Sequence, residues 1–217
     1  MPVRLNQAIK FPDPMLANIA GPVAVGGDLT PERLLAAYRV GIFPWSVDPI
    51  TWWSPDPRGV MELDDFHISK SLAKFIRKGI YQVTVNRAFG EVMHACAAPD
   101  PKRGGAWITP EFIAAYTQLH ELGHAHSVEC WRDEKLVGGI YGVSIGGMFA
   151  GESMFHRADN ASKVGLCYLV EHLRAQNFTL FDIQMVTDAT KPFGAKEISR
   201  AEYLKRLSQA VVLNCKF

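Results

Sequence analysis

Three groups of side chains in this 217-residue sequence have the types and spacing to do chemistry. The first joins Gly151-Glu152-Ser153-Met154-Phe155 to Phe181-Asp182-Ile183-Gln184. In a strand, residues i and i+2 share a face, so Asp182 and Gln184 project together while Phe181, Ile183 and Met185 turn the other way. A carboxylate and a primary amide in otherwise apolar strands need partners or they cost free energy. They are either a structural hydrogen-bonded pair or a polar spot in an apolar pocket. The second group is basic. Lys70, Lys74, Arg77 and Lys78 fall at i, i+4, i+7 and i+8, along one side of a helix, and no acidic residue lies between His67 and Gly79. Such a face is either a solvated surface or a seat for a phosphate backbone.

The third group is His120-Glu121-Leu122-Gly123-His124, which matches the H-E-x-x-H zinc-peptidase motif. That motif needs both histidines on one face of a continuing helix, with the glutamate as general base. Here the helical pattern from Pro110 stops at Gly123, a residue type that favours the position just past a helix end, and an alternating strand follows. A zinc peptidase using His120, Glu121 and His124 is therefore the alternative function, and a helix C-terminus is the structural one.

The elements that carry these groups follow from periodicity and punctuation. Nine of thirteen prolines lie in residues 1–58, which predicts a region of mostly loop, with one helix opened by Thr30-Pro31-Glu32 and ended by Gly41. Three of five tryptophans, Trp45, Trp52 and Trp53, lie there too, suited either to stapling the region onto the remainder or to stacking a ligand. From Gly59 onward the chain reads as helix 69–78, strand 81–85, helix 109–122, strand 127–131, a hairpin of 136–143 and 148–155 turning at Gly146-Gly147, helix 162–175, strand 179–186, and a final helix opened by the capping box Ser199-Arg200-Ala201-Glu202. That order predicts an α+β fold: a small N-terminal domain over 1–58 and a mixed sheet with packed helices over 59–217.

Composition sets the outer limits. Lys plus Arg is 23 and Asp plus Glu is 22, a net charge of +1, which excludes a protein that coats nucleic acid by bulk charge but leaves a local basic face open. The longest apolar uncharged stretch, 136–151, is too short and too rich in glycine to span a membrane. The N-terminus has no apolar signal core, and Cys96, Cys130, Cys167 and Cys215 are widely scattered, as in a cytoplasmic protein.

Eight segments, in order and spacing, resemble the bacterial leucyl/phenylalanyl-tRNA–protein transferases: Val25–Leu29, Tyr38–Trp45, Trp52–Arg58, His67–Ser69, Ala106–Thr109, His120–Ser127, Gly151–Phe155 and Asn160–Lys163. The resemblance spans roughly Val25 to Tyr203. It implies an acetyltransferase-like (GNAT-type) catalytic domain and a cytoplasmic, monomeric enzyme of protein degradation by the N-end rule. The enzyme would move Leu or Phe from aminoacyl-tRNA to the N-terminal α-amine of proteins starting with Arg or Lys, without metal or organic cofactor. Carried over by position, the resemblance implies a polar centre of Glu152, Asp182 and Gln184, and an aminoacyl pocket of Ile140, Phe149, Leu166 and Leu169. It further implies adenosine stacking by Trp45 and Trp107, and acceptor-stem phosphates on Lys70, Lys74, Arg77 and Lys78. Because a neutral amide is no base, the expectation is that Asp182 fixes the rotamer of Gln184, whose carbonyl orients the amine. The proton then leaves to the ribose hydroxyl or through Glu152, unless Glu152 recognises the acceptor's cationic side chain.

Overall fold

The computed structural model describes residues 2–17, 21–99 and 108–217. The N-terminal region contains strands Val3–Leu5 (β1) and Ala24–Gly26 (β2), helix Pro31–Arg39 (α1), and strands Phe43–Val47 (β3) and Ile50–Trp53 (β4). These four strands form a sheet in the order β1-β2-β4-β3. The expectation of mostly loop is therefore corrected. Prolines are accommodated where a sheet tolerates them: Pro44 lies on the outer strand β3 at a register shift, and Pro49 lies in the turn to β4. Thr30 precedes α1 without capping it; its hydroxyl donates instead to Asp28.

The larger sheet is built from Arg58–Met61 (β5), Gln82–Val85 (β6), Ala125–Arg132 (β7), Lys135–Ile145 (β8), Met148–His156 (β9), Leu180–Gln184 (β10) and Ala195–Ile198 (β11), in the order β11-β5-β10-β9-β8-β7-β6. Helices Lys70–Ile76 (α2), Phe89–Ala97 (α3), Pro110–Glu121 (α4), Ala161–Ala175 (α5) and Arg200–Ala210 (α6) pack around it. The chain is thus α+β with a mixed sheet, as its element order requires. Neighbouring strands in this sheet are antiparallel except β9 and β10, which run parallel. They pair only from Met148 to Ala150 against Leu180 to Asp182; beyond that, β9 continues to His156 without β10 beside it. The sheet opens at this point.

Two apolar clusters cover its faces. One joins Leu34, Tyr38, Phe43 and Trp52 of the N-terminal region to Tyr141, Ala150 and Leu180 of the large sheet and to Tyr203 and Leu207 of α6, so the two sheets share one core. The other packs Ile140, Phe149 and Phe181 against Leu166, Leu169 and Leu173 of α5.

Helix α3 and strands β5 and β11 are not predicted by the sequence patterns. Helix α3 has Ala88 at its N-cap and no local side-chain cap. The acceptor comes from afar. Glu129 on β7, wholly buried, accepts from the Ala88 N–H, from Ser127 Oγ at 2.5 Å and from Thr84 Oγ1 at 2.5 Å. A cap supplied 41 residues downstream leaves no local signature. Replacing Glu129 by Ala would strand two buried donors, the Ala88 N–H and the Ser127 hydroxyl, each worth about 1–3 kcal/mol when unsatisfied, besides the half-buried Thr84 hydroxyl. Urea unfolding of Glu129→Ala should show a loss of at least about 2 kcal/mol; a midpoint equal to the parent would contradict this role.

Candidate active site

The site forms where the large sheet opens, and a buried ion pair fixes it. Asp182 of β10 is fully buried and meets the guanidinium of Arg58, the first residue of β5, which is 1% exposed. Arg58 donates through Nε to Oδ1 at 2.8 Å and through Nη2 to Oδ2 at 2.6 Å. Its Nη1 reaches the Gly41 carbonyl at 3.2 Å, and its plane lies between the rings of Phe43 and Tyr203, at 4.8 and 4.2 Å from their centroids. Tyr203 donates its hydroxyl to Asp182 Oδ2 at 2.8 Å. Paired, bidentate and ring-covered, both charges are tolerated in the core.

Asp182 then sets the backbone of Gln184. Its Oδ1 accepts from the Gln184 N–H at 2.9 Å, across a β-bulge where the register with β5 slips. Gln184 adopts φ +57°, the left-handed region that a non-glycine residue enters only when its surroundings dictate it. Gly59 on β5 lets the bulge approach: a Cβ there would stand 2.6 Å from the Met185 carbonyl carbon. The expectation that Asp182 fixes the Gln184 rotamer is corrected on this point. Asp182 holds the main chain, and the amide is held by Glu152, whose Oε1 accepts from Gln184 Nε2 at 3.1 Å. A carboxylate accepts and does not donate, so it draws the NH₂ group toward itself and turns the amide carbonyl away.

Glu152 of β9 is itself pinned from the opposite side. Tyr38 of α1 donates to Oε1 at 2.8 Å, Tyr116 of α4 approaches Oε2 at 3.4 Å, and the two hydroxyls lie 2.5 Å apart. The titratable and charged groups that face Glu152 are Tyr38, Tyr116, Tyr141 of β8, Asp182 and Arg58. Burial dominates and raises its carboxyl; the Tyr38 hydroxyl pulls it down, Asp182 raises it, and Arg58 and Tyr116 lower it. The balance leaves Glu152 pushed up to about 8. Tyr38 and Tyr116 are themselves pushed up, first by burial and then by Glu152, so both remain protonated donors.

Glu152 and Gln184 face a cavity of about 390 Å³, walled by Phe43, Pro44 and Trp45 on one side and by Ile183, Met185 and Thr187 on the other. Trp45 is 39% exposed and leans on Phe43 and Trp53, with ring centroids 5.9 and 5.8 Å away. Trp107 lies outside the described residues. Ile140, Phe149, Leu166 and Leu169 are brought together, but as packed core on the other face of the sheet. None of them lines this cavity; Ile183, which packs partly against that core, is the link between the two. Lys70 and Lys74 on α2, Arg77 at its C-cap and Lys78 beyond are all exposed, and none joins an ion pair among the described residues.

The zinc-peptidase alternative fails on geometry. Helix α4 ends at Glu121; Gly123 takes φ +78°, its N–H bonds the His120 carbonyl and the His124 N–H bonds the Leu119 carbonyl. This Schellman turn takes His124 off the helix, so the two histidines do not share the i, i+4 face the motif needs. His120 stacks on Phe89 at 4.3 Å, and its Nδ1 bonds the Ala125 carbonyl at 2.8 Å. A second arrangement that looks nucleophilic also fails. His126 stands 3.1 Å from Ser144 Oγ and 3.0 Å from Asn86 Nδ2. The Asn86 carbonyl is taken by the Ser127 N–H, so its NH₂ faces Nδ1 and the imidazole must carry its proton toward Ser144. In that tautomer it cannot deprotonate the serine.

Four residues of the centre, Arg58, Tyr38, Tyr116 and Tyr203, received no role from the sequence. Tyr38 and Arg58 stand inside two of the segments that carry the family resemblance, and a polar tip on an apolar helix face was the available signal for the two other tyrosines.

Comparison with known proteins identifies the frame. A family profile described as leucyl/phenylalanyl-tRNA protein transferase matches residues 60–208, and one described as the N-terminal domain of that transferase matches residues 27–56. Proteins bearing the same name are 54% identical over 204 residues in Cellvibrio japonicus (92% of this chain and 87% of that one). They are 56% identical over 208 residues in Pseudomonas entomophila (94% and 92%). Among solved structures, a GCN5-related N-acetyltransferase from Kribbella flavida aligns with a TM-score of 0.41 at 12% identity, covering 78% of this chain and 61% of that one. On the family match and these identities, the chain belongs to the leucyl/phenylalanyl-tRNA–protein transferase family, and it is an aminoacyltransferase.

Proposed function

We propose that this protein transfers Leu or Phe from aminoacyl-tRNA to the N-terminal α-amine of proteins beginning with Arg or Lys, in the cytoplasm, and so marks them for degradation. The observation that carries the chemistry is the Glu152–Gln184 pair at the floor of a cavity walled by Trp45. In this reading Trp45 stacks the terminal adenosine, with Trp107 as its expected partner. The donor's apolar side chain lies against Ile183, backed by the bed of Ile140, Phe149, Leu166 and Leu169. The exposed cations Lys70, Lys74, Arg77 and Lys78 take acceptor-stem phosphates. Residues 1–58 act as a unit that docks on residues 59–217 and lends Tyr38, Trp45 and Arg58 to the site.

The reaction is aminolysis of an ester: the amine nitrogen bonds the carbonyl carbon, the bond to the ribose oxygen breaks, and one amine proton ends on that oxygen. Alignment of amine and ester supplies much of the acceleration, about 7–11 kcal/mol in favourable cases. The Gln184 carbonyl, turned away from Glu152, accepts from the amine and aims it. Glu152 takes the amine proton and returns it to the leaving oxygen. A carboxyl raised by burial is a stronger base than an ordinary carboxylate, which suits Glu152 to take that proton.

Labelled Phe or Leu charged on tRNA should pass to a peptide starting with Arg; RNase should abolish transfer and EDTA should leave it unchanged. Absence of transfer under these conditions sinks the assignment. For Glu152→Gln, kcat at saturating acceptor should fall about 10²–10⁴-fold, and the limb that rises through pH 8 should lose the contribution of Glu152 and keep only that of the acceptor amine. Because the folded pKa of Glu152 exceeds its unfolded value of 4.5, folding loses stability as pH climbs from 4.5 to about 8. Between pH 5 and pH 9, Glu152→Gln should therefore lose less urea resistance than the parent. Tyr38→Phe removes a donor that favours the carboxylate, so the acid limb should move to higher pH; an unmoved limb would reduce Tyr38 to packing.

A further inference from the structure

The loop that follows β10 is a wall with two sides. Thr187 faces the cavity of Glu152 and Gln184, while Asp188, Ala189, Pro192 and Phe193 face a second cleft of about 240 Å³. The wall is held firmly. The Thr187 N–H donates to Thr190 Oγ1 at 2.9 Å, the Lys191 N–H to the Thr187 carbonyl at 2.8 Å, and the His67 N–H to the Phe193 carbonyl at 3.0 Å. Phe193 stacks on Phe66 with centroids 5.2 Å apart.

The second cleft has the composition of a single-nucleotide seat. Its floor is apolar, from Phe193 and neighbours on α2; its rim carries His67 and Ser69 at the start of α2, Asn160 and Lys163 at the start of α5, and Asp188 on the wall. Both β9 and β10 end with their carboxyl ends toward this side, where the sheet has opened. Lys70 and Lys74 continue outward along α2 from the same rim. A strand that leaves the first cavity therefore meets, in order, the loop, this cleft and the basic helix.

We propose that this cleft binds the nucleotide that precedes the terminal adenosine of the donor. Lys163 neutralises the phosphate that links the two nucleotides, the base lies on the apolar floor, and Asp188 accepts from an exocyclic amine. A carboxylate in that position favours cytosine over uracil, because cytosine presents an amino group where uracil presents a carbonyl. A lone anion on the rim also repels phosphate, which confines the phosphate to the Lys163 side. The inference rests on the tRNA-dependent reading above.

Three donors test it with the intact protein: Phe esterified to adenosine, to cytidylyl-adenosine and to uridylyl-adenosine, each with an Arg-initiated peptide. The expected result is a KM about tenfold or more lower for the cytidylyl donor than for adenosine, with the uridylyl donor closer to adenosine. Lys163→Ala should erase most of the gain while transfer from Phe-adenosine stays within twofold, and Asp188→Ala should remove the preference for cytosine over uracil. Equal KM values for adenosine and cytidylyl-adenosine overturn the proposal, as does a Lys163→Ala variant that weakens both donors alike. Failure of every donor would instead overturn the proposed function.

Discussion

The ion pair of Arg58 with Asp182 is the constraint on which the site depends. Two charges with almost no exposure are tolerated only because every face of the guanidinium is occupied and the carboxylate accepts from Arg58, Tyr203 and the Gln184 N–H. Removing one member of such a pair leaves the other charged and buried, which costs about 3–5 kcal/mol. The pair also ties distant parts of the chain together. Phe43 and Gly41 come from the N-terminal region, Asp182 from the middle of the large sheet and Tyr203 from the last helix. A boundary drawn after Arg58 would part it from the carboxylate it neutralises.

With Asp182 matched by Arg58, the second carboxylate is free to differ. Asp182 is surrounded by charge-assisted donors and serves as a fixed anchor. Glu152 meets only neutral donors, two phenols and an amide, at the half-buried edge of the cavity. Neutral donors offset part of the cost of burying a charge and not all of it. The two acids lie on adjacent parallel strands, and their different partners divide their work: one shapes the main chain, the other orients the Gln184 amide.

Much of this was legible in the sequence, for physical reasons that differ by element. The hairpin turning at Gly146-Gly147, the capping box at Ser199, where the hydroxyl accepts from the Glu202 N–H, and the stop at Gly123 are local, and local chemistry can be read locally. Period two places Asp182 and Gln184 on one face, and the structure corrects this: a bulge follows Asp182, Gln184 takes φ +57°, and Ile183 and Met185 line the same cavity as Gln184 while Asp182 does not. What was not legible is long-range. The cap of α3 comes from Glu129, the partner of Asp182 comes from 124 residues away, and the bulge that turns Gln184 exists because Gly59 on another strand makes room. Proline count misled in the N-terminal region because an outer strand tolerates proline, and which strand lies outermost is a property of the assembled sheet.

The elevated carboxyl of Glu152 has one more consequence. With Arg58 and Asp182 cancelling and burial opposing the ionisation of Glu152, the site carries little net charge. In the proposed reaction, a polyanionic donor end therefore approaches with little repulsion from Glu152. An acceptor that brings a cationic side chain or an ammonium group into the cavity alters that balance, because a nearby positive charge favours the ionised acid. In the proposed reaction, an arriving acceptor of that kind therefore helps to generate the base that its own amine requires.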